Sequence, residues 1–210
     1  MNYPYLSPHS IWARLLVART WELLPGVRGL RRAVATALGE ERVLEIGCGF
    51  GMNAPHLRGR YAGWDVDEKM IAKARELHPD GRFVAGDVGE HVDDLAGAPT
   101  VLFSLVLHEL PGDIRERLLD AAAQIAAGRI LVFDFNPEMS PFQKRLTSLI
   151  EEESLQSFWD FRLADFLAAR GWSLHETREI NRRFCMWRFV RRGQTTDATD
   201  AREPSAPNPE

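Results

Sequence analysis

Residues 43–51, Val-Leu-Glu-Ile-Gly-Cys-Gly-Phe-Gly, constrain the fold of this chain more than any other stretch. A short apolar run carrying an acid breaks into three glycines at alternate positions, the pattern of a buried parallel strand entering a tight turn where missing β-carbons let the backbone approach a ligand. Two further strands repeat the theme. Residues 61–64 end in Asp65, 18 residues after Gly47, and residues 82–85 end in Gly86-Asp87-Val88. Acids at the carboxyl ends of three successive strands surround one crevice of an open α/β sheet, the place where such sheets bind ligands.

The glycine spacing separates two kinds of ligand. A dinucleotide turn reads G-x-G-x-x-G and faces a pyrophosphate, whereas this turn reads E-x-G-x-G-x-G with Glu45 before it. A carboxylate there repels an anionic pyrophosphate and holds an ammonium group. In this motif, the acid after the second strand and the G-D-V after the third, the chain resembles the class I S-adenosylmethionine-dependent methyltransferases, small-molecule type 11/25, over roughly residues 30–190.

That resemblance implies a Rossmann-like, doubly wound α/β sheet of seven strands, mostly parallel with a terminal antiparallel strand and helices on both faces. It gives Gly47, Gly49 and Gly51 the methionine part of the cofactor, with Glu45 acting at the edge through water or backbone. It gives Asp65 both ribose hydroxyls and Asp87 the adenine amino group, and Cys48, Asn53, Val66, Met70, Val88, Ser104 and Leu105 complete the cofactor set. The cofactor implied is S-adenosyl-L-methionine, the product S-adenosyl-L-homocysteine, and no metal. Each acid also has a plainer reading: Glu45 as a capping or surface acid, Asp65 as N-cap of a helix over 68–77, Asp87 as a turn residue.

With 210 residues, 45% of them hydrophobic and 27% charged, the chain suits one domain with a sizeable core. We expect a single domain over 1–192, with 1–40 as a helical cap, 140–170 as a lid inserted after strand 5, and a disordered tail over 193–210 without apolar periodicity. A net charge of −4 leaves no footprint for nonspecific nucleic-acid binding. Two cysteines in unlike settings suggest neither a disulfide framework nor a metal site, so a reducing cytoplasm is the expected compartment. No run approaches transmembrane length and the start lacks a signal-peptide pattern. The oligomeric state is unreadable.

Strand and helix alternate along the chain. Helices are expected over 9–24 and 27–38, split by Pro25-Gly26, then near 52–58, over 67–77 and around 90–96. Residues 100–107 read as a fully buried fourth strand, 113–127 as a helix stopped by Gly128, and 129–135 as the fifth strand. Helical periodicity over 140–170 breaks near Glu153-Ser154, and 172–180 and 184–190 alternate like a final antiparallel pair.

The acceptor side is read from the fourth strand onward. Methyltransferases acting on exocyclic base amines carry N/D-P-P-Y/F there, and Val106-Leu107-His108-Glu109-Leu110 resembles instead the enzymes of small molecules such as quinones, phenols and lipid precursors. His108 is the candidate general base, since imidazole titrates near neutrality; the alternative is that it packs under the next helix. Glu109 reads as its partner or as a helix-start acid. Asp134 and Asn136 either orient a substrate or end a strand before Pro137. Trp12 in the N-terminal helix and Phe158 and Trp159 after strand 5 are candidates for lining the acceptor site, with core packing as the rival reading. Arg14, Arg19, Arg28, Arg31 and Arg32 make the N-terminal region basic, which is a solvated face or leaves open an anionic substrate or membrane-surface contact.

The function expected is methyl transfer to a small apolar or aromatic metabolite by direct in-line displacement, where the protein excludes water and aligns the acceptor. Its rivals are a phospholipid N-methyltransferase at a membrane surface and a protein of this fold that binds the cofactor without transferring the methyl group.

Overall fold

In the computed structural model, which describes residues 20, 23, 25–57, 59–148 and 154–193, seven strands join in one sheet. They are β1 Val43–Ile46, β2 Tyr61–Asp65, β3 Arg82–Ala85, β4 Ala98–Ser104, β5 Ala126–Phe135, β6 Trp172–Asn181 and β7 Phe184–Arg191. Their order is β3-β2-β1-β4-β5-β7-β6. Strands β1 to β5 pair in parallel, and β7 lies antiparallel between β5 and β6. This is the Rossmann-like seven-stranded sheet expected, with the antiparallel strand last in the chain but one place inside the edge.

The helices around it are α1 Pro25–Leu38, α2 Glu68–Leu77, α3 Val92–Leu95, α4 Gly112–Ile125, α5 Pro141–Ser148, α6 Ser154–Asp160 and α7 Leu163–Ala168. All four residues of β1 and the stretch 100–104 of β4 are buried, because parallel strands covered on both faces read as unbroken apolar runs. In α1 the core is met by Val27, Leu30, Val34 and Leu38, spaced three to four residues apart. Pro25 opens that helix, where its missing N–H is one the first turn leaves unpaired anyway. The strand order reverses between β1 and β4, which puts the crevice beyond the carboxyl ends of these two strands.

Several boundaries differ from expectation. The helix near 52–58 is only the 3₁₀ turn Ala54–His56, and the one around 90–96 shrinks to α3. The fourth strand ends at Ser104 because Leu105 takes φ 57°, a left-handed conformation rare for a residue with a side chain. Gly128 does not stop α4. That helix ends at Ile125 and β5 begins at Ala126, with Gly128 inside the strand. A β-carbon on Gly128 would lie 2.7 Å from the Pro99 carbonyl oxygen, beside the register shift between Ala98 and Thr100. We expect Gly128→Ala to lower stability by about 1–3 kcal/mol in a thermal or urea melt; an unchanged midpoint would show that the bulge yields freely. Apart from Thr20 and Leu23, the expected helix 9–24, with Trp12, lies outside the described residues, as does the expected tail 193–210 beyond Gly193.

Among the described residues no helix is long and apolar enough to cross a membrane, and no group of His, Cys, Asp and Glu could hold a metal ion. Cys48 and Cys185 are buried free thiols.

Candidate active site

After β1 the chain turns through Gly47, Gly49 and Gly51 at φ 72°, 52° and 69°. A β-carbon on Gly47 would stand 2.4 Å from Val106 Cγ2, and one on Gly51 2.5 Å from the Phe83 ring. Both glycines therefore serve the turn's left-handed backbone and its close packing between the ends of β4 and β3. Above Gly49 there is only the Met70 sulfur, at 3.4 Å.

Asp65, ending β2, accepts a hydrogen bond from Gly49 N–H at 2.8 Å through Oδ2 and from Asp67 N–H at 2.9 Å through Oδ1. It does not cap α2. Asp67 does, accepting from Lys69 and Met70 N–H at 2.9 and 3.3 Å. Asp65 and the adjoining Val66 are half-buried at the lip of the turn.

Glu45 is 2% exposed and both its oxygens have partners in the core, Asn53 Nδ2 at 2.7 Å and Tyr61 Oη at 2.6 Å. Arg31, reaching in from α1, donates to Asn53 Oδ1 at 3.1 Å and to Ser104 Oγ at 3.0 Å. Arg31 is thus one member of a buried cluster at the switch point, rather than part of a solvated basic face. The signal was available: Arg31 lies on the apolar stripe of α1 between Leu30 and Val34.

Burial lifts the Glu45 carboxyl from its ordinary 4.5 to about 7, against the lowering influence of Tyr61, Arg31 and Asn53. Between those values the folded protein holds the proton that the unfolded chain releases, so stability falls as pH rises through the window, by roughly 3 kcal/mol. Melts from pH 4.5 to 8 should show this slope in the ligand-free protein and lose it in Glu45→Gln; identical slopes would place the titration elsewhere. The same burial pushes the Cys48 thiol up, which keeps it an inert thiol within the turn.

After β3, Asp87 accepts from Gly89 N–H at 2.9 Å, shaping the 3₁₀ turn Val88–Glu90, and pairs with Arg117 of α4 at 2.7 Å. Both the turn reading of Asp87 and this charge partner are thereby present. Val88 packs in the core at 2% exposure. Leu105, the one described residue other than glycine with positive φ, follows Ser104 directly, and such strain collects at functional turns.

His108 sits in the 3₁₀ turn Leu107–Glu109 beyond β4 and is 4% exposed. Its Nδ1 lies 2.7 Å from Asp134 Oδ1, and its Nε2 3.8 Å from Glu109 Oε1. The fully buried Asp134 also accepts from the N–H groups of Leu107, His108 and Phe135 at 3.1, 3.4 and 2.8 Å. With three backbone N–H groups already pointing at this carboxylate, it is the acceptor in the bond to the imidazole, which puts the ring proton on Nδ1 and leaves Nε2 as the nitrogen that can take one. The Phe135 ring fixes the imidazole edge-on at 4.7 Å.

Arg115 braces this turn. Buried at 1% exposure, it donates to the carbonyls of Leu107 and Leu110 at 2.9 and 2.8 Å and to those of Ser157 and Ser154 at 3.1 and 3.2 Å. It thereby ties the His108 turn to α6, and its guanidinium lies over Phe158 and Phe161. Sequence reasoning passed over Arg115, although it shares the apolar stripe of α4 with Leu119 and Ala122.

Asn136 stands apart, its Oδ1 accepting from Glu138 N–H at 2.9 Å and its N–H donating to Arg183 O at 2.7 Å, bonds that shape the exit from β5. Phe158 and Trp159 come together at a cleft of about 270 Å³ shared with Pro137 and Trp187.

Known proteins can now be set beside this geometry. The methyltransferase-domain family model matches residues 43–128, from the glycine turn through His108 to the start of β5. No curated protein sequence matches the chain. Among solved structures, magnesium protoporphyrin IX methyltransferase from Synechocystis PCC 6803 with bound SAH is 17% identical, with 79% of this chain and 84% of that one covered at TM-score 0.60. A TehB-like SAM-dependent methyltransferase from Corynebacterium glutamicum ATCC 13032 is 17% identical, covers 87% and 100%, and scores 0.61. Mitomycin 7-O-methyltransferase MmcR is 20% identical, covers 85% and 57%, and scores 0.63. Over residues 43–128 the chain is similar to the methyltransferase domain, and its fold is that of the class I S-adenosylmethionine-dependent methyltransferases.

Proposed function

We propose that the protein transfers a methyl group from S-adenosylmethionine to a small-molecule acceptor, with His108 taking the acceptor's proton. The observation that carries this reading is the buried His108–Asp134 pair, set at the ends of β4 and β5 beside the glycine turn.

The residues present suit the cofactor. Glu45 and Arg31 sit in one buried cluster at the switch point that braces Asn53 and Ser104, so Glu45 acts on the cofactor from the edge rather than by direct contact. Gly47, Gly49 and Gly51 bring backbone to the crevice, and Asp65 stands at its lip for the ribose. Asp87 remains the residue we assign to the adenine amino group. When bound, S-adenosylmethionine supplies a methyl group made electrophilic by the positive charge on its sulfur.

The protein's part is then to dry the site, orient the acceptor and receive a proton. Asp134 holds the imidazole proton on Nδ1, which turns Nε2 toward the role of base, with the Glu109 carboxylate 3.8 Å from it. The described parts of the segment after β5, residues 140–148 and 154–170, serve as cover in this reading, supported by the Arg115 bonds between the His108 turn and α6. The test is to incubate protein and S-adenosylmethionine with phenols, amines and thiols and quantify S-adenosylhomocysteine. Turnover with at least one acceptor supports the proposal; cofactor binding without turnover on any class would make this a binding protein of the same fold.

A further inference from the structure

We propose that the open edge of the sheet is a docking surface for a second copy of this chain, with β6 pairing antiparallel to β6 of that copy about a two-fold axis through Thr177. Assembly of this kind does not depend on the methyl-transfer reading.

The sheet order places β6 at one end, so among the described residues only one of its two edges, the one along β7, carries a ladder. At ten residues it is far longer than the strand at the other end, the four-residue β3. A long edge offers a row of backbone N–H and C=O groups to another chain, which makes it a site of strand addition. Leu174, on this strand, is 43% exposed, one of the few large apolar side chains of the described residues left open to solvent.

The residues of the edge fit a copy of themselves. Residues 174–180 read Leu-His-Glu-Thr-Arg-Glu-Ile, and Thr177 divides them into halves that complement each other when one strand is turned end for end. In an antiparallel pair centred there, Glu176 stands opposite Arg178 of the second copy, His175 opposite Glu179 and Leu174 opposite Ile180, each twice, while Thr177 meets Thr177 on the axis. Opposed side chains of opposite charge, and Thr with Thr, support a sheet, whereas like charges directly opposite destabilise it. Neighbouring registers bring such like charges together. An axis on Glu176 sets two carboxylates face to face, and one on Arg178 sets two guanidiniums. An axis between Thr177 and Arg178 opposes Glu176 to Glu179, and one between Glu176 and Thr177 opposes His175 to Arg178. The register about Thr177 is therefore selected by charge, and a two-fold pairing of this kind closes at two copies.

The side chains are placed for it. His175, Thr177 and Glu179 are exposed. The Arg178 side chain, 41% exposed, has the Met186 sulfur at 3.5 Å and Glu176 Oε1 at 3.7 Å, while Arg188 holds the other oxygen of Glu176 at 2.9 Å. In a single copy one carboxylate thus serves two guanidiniums, and pairing adds a carboxylate beside Arg178. The ladder between β6 and β7 is regular from Glu176 to Glu179 and shifts register on either side. The straight part of the strand therefore carries the inner pairs, and the bulges bend its ends away and keep the interface short. One strand pair lies at the small end of specific interfaces, which implies a weak, concentration-dependent dimer.

Sedimentation equilibrium of the full chain from about 5 to 500 μM, the range suited to so small an interface, tests this. The expected result is a reversible shift from 23.8 kDa toward twice that mass, weakened by salt because the facing charges lie at the surface. Thr177→Asp and Thr177→Lys each set like charges across the axis and should raise the dissociation constant about tenfold. An equimolar mixture of the two, with Asp facing Lys, should dimerise again. Arg178→Glu should weaken the dimer likewise, and Phe142→Asp, at an exposed apolar residue on α5 rather than on β6, should not. Thermal melts of the dilute proteins check that each variant is folded. A monomer throughout the range, assembly beyond two copies, or a dimer indifferent to the Thr177 and Arg178 substitutions would overturn the proposal.

Discussion

The His108→Gln protein should bind S-adenosylmethionine within about twofold of the unmodified chain and turn over a phenolic acceptor about 10²–10⁴-fold more slowly. Glutamine keeps a polar side chain in a position that is 4% exposed, but it has no nitrogen able to take a proton near neutral pH. Asp134→Asn should give a smaller loss of the same kind, because an amide in place of the carboxylate no longer fixes the proton on Nδ1 or stabilises the imidazolium. Asp134→Ala is the wrong probe, since it strands the backbone donors of Leu107, His108 and Phe135. An unaltered kcat in a folded His108→Gln protein would mean that alignment alone drives transfer and that the buried pair is structural.

Gly47→Ala should weaken cofactor binding by at least about 30-fold. Two costs combine. The left-handed backbone at φ 72° costs a residue with a β-carbon about 1–2 kcal/mol, and the new methyl would overlap Val106 Cγ2 at 2.4 Å, adding about 1–3 kcal/mol of overpacking. Either the turn moves into the crevice or the end of β4 moves away, and both displace Leu105, already at positive φ. Val106→Ala in the same chain removes the overlap but not the backbone strain, so it should restore part of the affinity, with binding measured by calorimetry beside a melt of each variant. Full affinity in Gly47→Ala alone would show that the turn does not touch the ligand.

How far the sequence could be read follows from which interactions are local. Buried parallel strands such as β1 announce themselves as apolar runs, and a glycine turn after one of them fixes the crevice, so the sheet and the positions of Gly47 and Asp65 were legible. The reach of Arg31 to Ser104, 73 residues on, and of Arg115 to Ser157, 42 residues on, was not, because pairing across the fold leaves no periodic trace. His108 and Asp134 each drew notice singly; their bond, across 26 residues, depends on the parallel register of β4 and β5. Boundaries failed where neighbours override local preference. Gly128 looks like a helix stop by composition, yet Pro99 across the ladder makes it a strand glycine. Leu105 ends its strand in a conformation that no leucine signals in advance.

The most direct measurement is calorimetric titration of the purified protein with S-adenosylmethionine, S-adenosylhomocysteine and NAD, repeated with Asp65→Ala. The geometry predicts micromolar binding of both sulfur compounds, none of NAD, and a loss of about 1–3 kcal/mol in the folded variant as the ribose hydrogen bonds go and the Gly49 and Asp67 N–H groups of the turn lose their acceptor. Binding of NAD alone, or affinity for S-adenosylmethionine that does not change in Asp65→Ala, would contradict it.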